Sequence, residues 1–181
     1  MNRSGPVLED VNTRQRQFEA LTRAHAADLY RFAWWLCGHE ALAQDLVQET
    51  LLRAWKNLKA LRDARAAKPW LLTILRREHA RVYERKRLDI VELQENVADQ
   101  ANWSDPVRQG QADELRQAMY RLPEKYREPL LLQVLGGLTC DEIAAELGIK
   151  PGAVMTQLFR ARQQLKTLLN EAEGGVRHEL P

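Results

Sequence analysis

Five side chains in one short run, Met155, Thr156, Phe159, Arg160 and Arg162, have the chemistry to grip and read a DNA duplex. Arginine guanidinium groups pair with phosphates, which positions a protein on DNA without specifying its sequence. The Thr156 hydroxyl can hydrogen-bond a base edge, and Met155 or Phe159 can touch a thymine methyl. A second set is polar: Asp45, Gln48 and Glu49 fall within about one quadrant of a helix at ~100° per residue, with Arg53 beside them. Spacing alone makes this an ordinary solvated face. A third set is cationic. Arg77, Arg81 and Arg85 step by four, with Arg76, Lys86 and Arg87 around them. Such a surface can neutralise several phosphates, at an affinity that falls steeply with salt. A solvated basic helix shows the same pattern.

Nothing in the chain suggests covalent chemistry. It has no glycine loop of the phosphate-cradling kind and no His, Cys and carboxylate set at ligand spacing. His25, His39, His79 and His178 are scattered, and the carboxylates lack the context of a catalytic pair. No enzymatic activity, cofactor or metal is therefore expected. Cys37 and Cys140 lie about a hundred positions apart, so neither a zinc site nor a disulfide framework is indicated, and a reducing cytoplasm is the expected compartment. No apolar run approaches the ~20 residues that span a bilayer. The first eleven residues are polar and include Glu9 and Asp10, so no signal peptide is expected.

The elements that must position the first set are clear. Thr139 followed by Glu142 is a capping box, which starts a helix. Ile143, Ala144 and Leu147 give that helix one apolar stripe, and Gly148 can close it at positive φ. Pro151 suits the first turn of a second helix, along which Val154, Leu158, Ala161 and Leu165 share a face. Short helix, glycine turn and second amphipathic helix predict a helix-turn-helix, whose second helix enters the major groove.

Upstream, the spacing predicts a helix from about 13 to 36 on Phe18, Leu21, Leu29, Phe32 and Leu36, ended by Gly38. Adjacent Trp34 and Trp35 cannot both face one core. A helix over 41–58 carries the stripe Ala43, Val47, Leu51, Ala54 and Leu58. A basic connector fills 59–68, and Pro69 opens a helix to about 87 with Trp70, Leu71, Ile74, Leu75 and Val82 inward. Ala112, Leu115, Ala118, Met119 and Leu122 predict one helix, stopped by Pro123. Tyr126, Leu130, Leu131 and Val134 predict another, broken at Gly136 and Gly137. No strand-like alternation or internal repeat is present. The fold expected is all-α, two small helical domains joined by a flexible linker.

Charge follows the same division. Residues 59–87 hold ten Lys or Arg against three Asp or Glu, and residues 88–114 hold one against seven. A basic block followed by an acidic one is expected of a nucleic-acid surface followed by a separating strap.

Two runs then carry a resemblance. Asp45-Leu46-Val47-Gln48-Glu49-Thr50-Leu51-Leu52-Arg53-Ala54-Trp55, followed by Trp70-Leu71-Leu72-Thr73-Ile74, resembles region 2 of bacterial sigma factors of the extracytoplasmic-function group. Leu122-Pro123, Arg127, Glu142-Ile143-Ala144, Leu147-Gly148-Ile149, Gly152, Val154 and Arg160-Ala161-Arg162 resemble region 4. The resemblance implies an N-terminal extension over 1–12, region 2 over 13–88, a linker over 89–111, region 4 over 112–171 and a tail over 172–181. It implies a subunit that binds core RNA polymerase, recognises the −35 and −10 promoter elements and helps open the duplex. A stand-alone helix-turn-helix regulator is the alternative.

By position, the resemblance gives Asp45, Gln48, Glu49, Leu52 and Arg53 to the clamp helices of the largest polymerase subunit. It gives Lys59, Arg62, Arg65, Lys68, Trp70, Arg76, Arg77, Arg81 and Arg85 to the −10 element, where the connector captures an extruded base. Met155, Thr156, Phe159, Arg160 and Arg162 take the −35 element. The acidic linker is expected to thread through the polymerase. Met155 and Gln157 stand where relatives usually carry Lys or Arg, Ala153 where they carry Thr, and Lys150 where they carry a capping Ser. An anti-sigma factor, often membrane-anchored in this family, is a further expected partner, with Trp35 and Trp103 as contact candidates. The expected localisation is cytoplasmic, or the inner membrane face when so held.

Overall fold

The computed structural model describes the backbone of residues 5–92 and 111–176, and the side chains of 12–84 and 114–171. Among these, every regular element is helical. In chain order they are α1 (Gly5–Cys37), α2 (Glu40–Lys56), two single 3₁₀ turns (Leu58–Ala60 and Ala64–Ala66), α3 (Ala67–Glu92), α4 (Gln111–Arg121), α5 (Glu124–Val134), α6 (Cys140–Leu147) and α7 (Pro151–Val176). The chain divides into two compact units. One comprises residues 1–33 and 40–98, the other 34–39 and 99–181.

In the first unit, α1 begins eight residues earlier than its apolar spacing predicts, at Gly5. Pro6 falls in the first turn, where its missing N–H removes no helical bond. Leu21, Leu29 and Phe32 of α1 are buried, with Leu71, Leu72 and Leu75 of α3. Burying each such side chain contributes ~1.5–3 kcal/mol. Arg14 ties α1 to α2: its guanidinium stacks 4.6 Å over the Trp55 ring and donates to the Trp55 carbonyl oxygen. Phe18 packs edge-on against the same indole at 5.2 Å. Trp34 and Trp35, at the end of α1 but in the second unit, are both half-buried and meet edge-to-face.

The α2 stripe differs from the expectation. The buried row is Ala43, Leu46, Thr50 and Ala54, while Val47 and Leu51 are only half-buried. Thr50 is tolerated inside because its hydroxyl donates to the Leu46 carbonyl at 2.6 Å, so no polar group is left unpaired. In α3, Leu72 is buried where Trp70, Ile74 and Val82 are intermediate. The helix also starts two residues before Pro69. Pro69 is its third residue, and the first four N–H groups of a helix need no partner within it.

In the second unit, α4, α5 and α6 pack on α7 around Met119, Leu122, Leu130, Leu132, Ile143, Val154, Leu158 and Ala161. Leu115 and Val134, expected inward, are exposed, Val134 at 67%. Leu132 and Arg127 take the buried places instead. Arg127 donates to the Tyr120 carbonyl at 3.2 Å, satisfying an oxygen that the end of α4 leaves without a helical partner. Its appearance in the sequence pattern therefore has a structural cause.

The helix-turn-helix forms as its sequence dictates. Thr139 Oγ1 accepts from the Glu142 N–H at 3.3 Å, and the Glu142 carboxylate accepts from the Thr139 N–H at 2.8 Å. Gly148 adopts φ +66°, a left-handed conformation that costs side chains with a Cβ ~1 kcal/mol or more. Thr139→Ala should cost ~1 kcal/mol of stability in thermal melts. The Thr139 N–H and hydroxyl hold the Glu142 carboxyl below its ordinary 4.5. A carboxyl lowered on folding stabilises above its unfolded pKa and ceases to as pH falls through the folded one. Melts of the parent should therefore progressively lose the contribution of Glu142 as pH falls below the ordinary 4.5, and Thr139→Ala should show less of that loss.

Candidate functional site

Three exposed surfaces carry the side chains singled out in the sequence. On α2, Asp45 and Gln48 are exposed and Glu49 is half-buried. Leu52, 48% exposed, lies on the same arc, so an apolar side chain sits among polar ones. Arg53 borders them, its Nε 2.9 Å from a Glu49 oxygen one turn back. The backbone of this face is fixed from behind by the fully buried Ala43, Leu46, Thr50 and Ala54.

Arg53 has a second partner that the sequence does not disclose. Glu78 of α3 is 6% exposed, and its Oε1 lies 2.7 Å from Arg53 Nε. The same oxygen accepts from Arg81 Nη1 at 2.6 Å. Arg53 Nε–H is aimed squarely at neither carboxylate, so its contacts are those of an ion pair rather than aligned hydrogen bonds. The i to i+3 relation of Glu78 and Arg81 is visible in sequence; the meeting with Arg53 depends on how α2 and α3 pack. These groups, with Asp45 and Glu49, line a recess of about 170 Å³.

The second surface is the connector and the start of α3. It is not irregular: Asp63 accepts from the Arg65 N–H at 2.9 Å and caps the second 3₁₀ turn. Lys59, Arg62 and Arg65 are exposed, Trp70 and Arg76 half-buried, and Arg77 exposed on α3. Two residues of this set already have carboxylate partners. Lys68 Nζ pairs with Asp28 of α1 at 2.9 Å, which holds the Asp28 carboxyl below its ordinary 3.8. Arg81 pairs with Glu78. The expected row Arg77, Arg81 and Arg85 is thus not uniform, and the Arg85 side chain lies outside the described residues, as do the acidic linker with Trp103 and the tail after 176.

The third surface is the outer side of α7. Met155, Thr156, Phe159, Arg160 and Arg162 are all exposed, opposite the buried Val154, Leu158 and Ala161. Met155 is 57% and Phe159 62% exposed, one helical turn apart. Arg160 Nη1 donates to the Tyr126 hydroxyl at 3.5 Å, which holds that phenol below its ordinary 10. Arg162 donates to the Gln133 side-chain oxygen. Both guanidinium groups are steadied from α5 and keep N–H groups for an anion. Thr156 Oγ1 donates to the Gly152 carbonyl at 2.9 Å.

Among the described residues, no three or more His, Cys, Asp or Glu are placed to hold a metal ion. No described helix is long and apolar enough to cross a membrane. The surfaces offer charge, hydrogen bonds and apolar contact, the means of assembly.

Comparison with known proteins gives these surfaces a context. The family model for sigma-70 region 2 matches residues 21–88, and that for sigma-70 region 4 matches residues 112–165. Over 162 residues the chain is 34% identical to the ECF RNA polymerase sigma factor SigL of Mycobacterium tuberculosis, covering 84% of this chain and 88% of that one. It is 34% identical over 147 residues to the ECF sigma factor SigM of Bacillus subtilis, covering 79% and 89%. Among solved structures it resembles the sigma factor RpoE, seen with the anti-sigma factor NepR from Bartonella quintana. That likeness has TM-score 0.68 and 26% identity, and covers 86% of this chain and 96% of that one. It also resembles CnrH, seen with the cytosolic domain of CnrY, at TM-score 0.59 and 27% identity, over 87% and 90%. Matches to both regions in one chain disfavour a stand-alone helix-turn-helix regulator. The chain belongs to the sigma-70 family, as an RNA polymerase sigma factor of the extracytoplasmic-function group.

Proposed function

We propose that its three surfaces divide the work of a sigma factor as follows. The α2 face of Asp45, Gln48, Glu49, Leu52 and Arg53 docks on core polymerase. The observation that carries this is a half-exposed leucine ringed by polar groups on a helix pinned from behind, the make-up of an interface centre with its polar rim. Lys59, Arg62, Arg65, Trp70, Arg76 and Arg77, with Lys68 and Arg85, serve the −10 element, their charges holding backbone phosphates. The outer side of α7 reads the −35 element as duplex. No step needs a cofactor, and the protein makes and breaks no bond itself.

RpoE was solved with the anti-sigma factor NepR, and CnrH with the cytosolic domain of CnrY. By that likeness this chain too is held inactive by such a partner, in the cytoplasm, or at the inner membrane face if the partner is anchored there. Purified protein mixed with core polymerase should co-elute with it and direct run-off transcripts from a subset of genomic promoter fragments. Failure to co-elute, with no transcript above core alone, would refute the division of labour.

A further inference from the structure

The sequence singles out Asp45, Gln48 and Glu49 but not the group that steadies them. We propose that Glu78 is a positioning residue for the polymerase-docking face, acting through Arg53. This rests on the assignment of the α2 face made above.

Glu78 is on α3, not α2, and is almost wholly removed from solvent. A carboxylate buried to this degree needs cationic partners to offset its lost hydration, and it has two: Arg53 across the helix pair and Arg81 on its own helix. Arg53 in turn lies between Glu78 and Glu49, at 2.7 and 2.9 Å. Its Nε is buried between the two carboxylates, while the Arg53 and Glu49 side chains as a whole keep 37% and 42% exposure. An Arg–Glu pair one turn apart on an open helix surface is weak and loosely held. Here the third charge fixes Arg53 from the far side, and so limits where the Glu49 carboxylate can go. The docking face is thereby set before a partner arrives, which reduces the ordering that binding would otherwise demand.

The same contact changes the place of Arg81. Its head turns to Glu78 at the recess beside Asp45 and Glu49. It belongs with the polymerase-facing charges rather than with a row of phosphate contacts.

The test is a double-mutant cycle on the full chain, reading affinity for core polymerase. Glu78→Gln and Arg53→Met should each weaken binding, on the order of five- to ten-fold, and the double variant should be no weaker than the worse single one. If the two losses multiply, Glu78 acts independently of Arg53 and the proposal is overturned. The same follows if Glu78→Gln binds like the parent. Glu49→Gln distinguishes the two levels: if it too leaves affinity unchanged, the α2 assignment itself fails. Should Glu78→Gln lose its helical circular dichroism, Glu78→Asp takes its place in the cycle. It keeps the charge but shortens the reach, and should show a smaller loss that again vanishes with Arg53→Met; a loss that persists overturns the proposal.

Discussion

Asp45→Ala combined with Glu49→Ala should lower affinity for core polymerase by on the order of 100-fold, with the helical fold intact. Asp45 is exposed and Glu49 half-exposed, and neither fills space in the core. Alanine is the stronger helix former, so the helix itself loses nothing. Arg53 would keep Glu78 as a partner, so no buried charge is stranded. Asp45 and Glu49 flank the Leu52 centre, and truncating a charged group that is paired and desolvated across an interface costs ~2 kcal/mol or more; two such losses without full additivity give the stated factor. Fluorescence anisotropy against labelled core measures it, with circular dichroism and a thermal melt as controls. Parent-like affinity in a folded variant would remove the polymerase role from this face.

The second large effect is on promoter choice. Met155→Ala with Phe159→Ala should reduce transcription from a promoter that depends on its −35 element by ~10- to 100-fold. The two side chains are 57% and 62% exposed, so stability should barely change. They carry no charge, so the salt dependence of holoenzyme binding should be unaltered. Arg160→Ala provides the contrast: it should weaken binding across sequences and reduce the salt slope by about one. Affinity for core polymerase should be the parent's in all three. If the apolar pair can be removed without changing which promoters fire, α7 does not read bases through it.

What could be seen in the sequence was whatever is determined locally. Thr139, Glu142, Gly148 and Pro151 each act within a turn of chain, so the helix-turn-helix and the outward side of α7 were fully legible. The phase of the α2 stripe was not. Thr50 is polar by type, and only its bond to the Leu46 carbonyl makes it a core residue. Val134 and Leu115 are apolar by type, yet the packing of α4 and α5 on α7 leaves them outside. The connector was visible as a charge block, but not its two 3₁₀ turns, of which the second rests on the Asp63 cap. Lys68 was legible as a cation only, since Asp28 becomes its neighbour through folding; Glu78 stands visibly one turn from Arg81, but its burial and its meeting with Arg53 depend on packing. Glu78 itself is one of four carboxylates in α3, with Glu84, Asp89 and Glu92, and nothing in their spacing marks it out.

Thr156 offers a last consequence. Its one hydroxyl hydrogen is directed at the Gly152 carbonyl one turn back, which leaves the oxygen its two lone pairs. With α7 in the groove and that bond kept, such a side chain receives rather than gives. It complements the exocyclic amines of adenine and cytosine, and has nothing to give to guanine O6 or thymine O4.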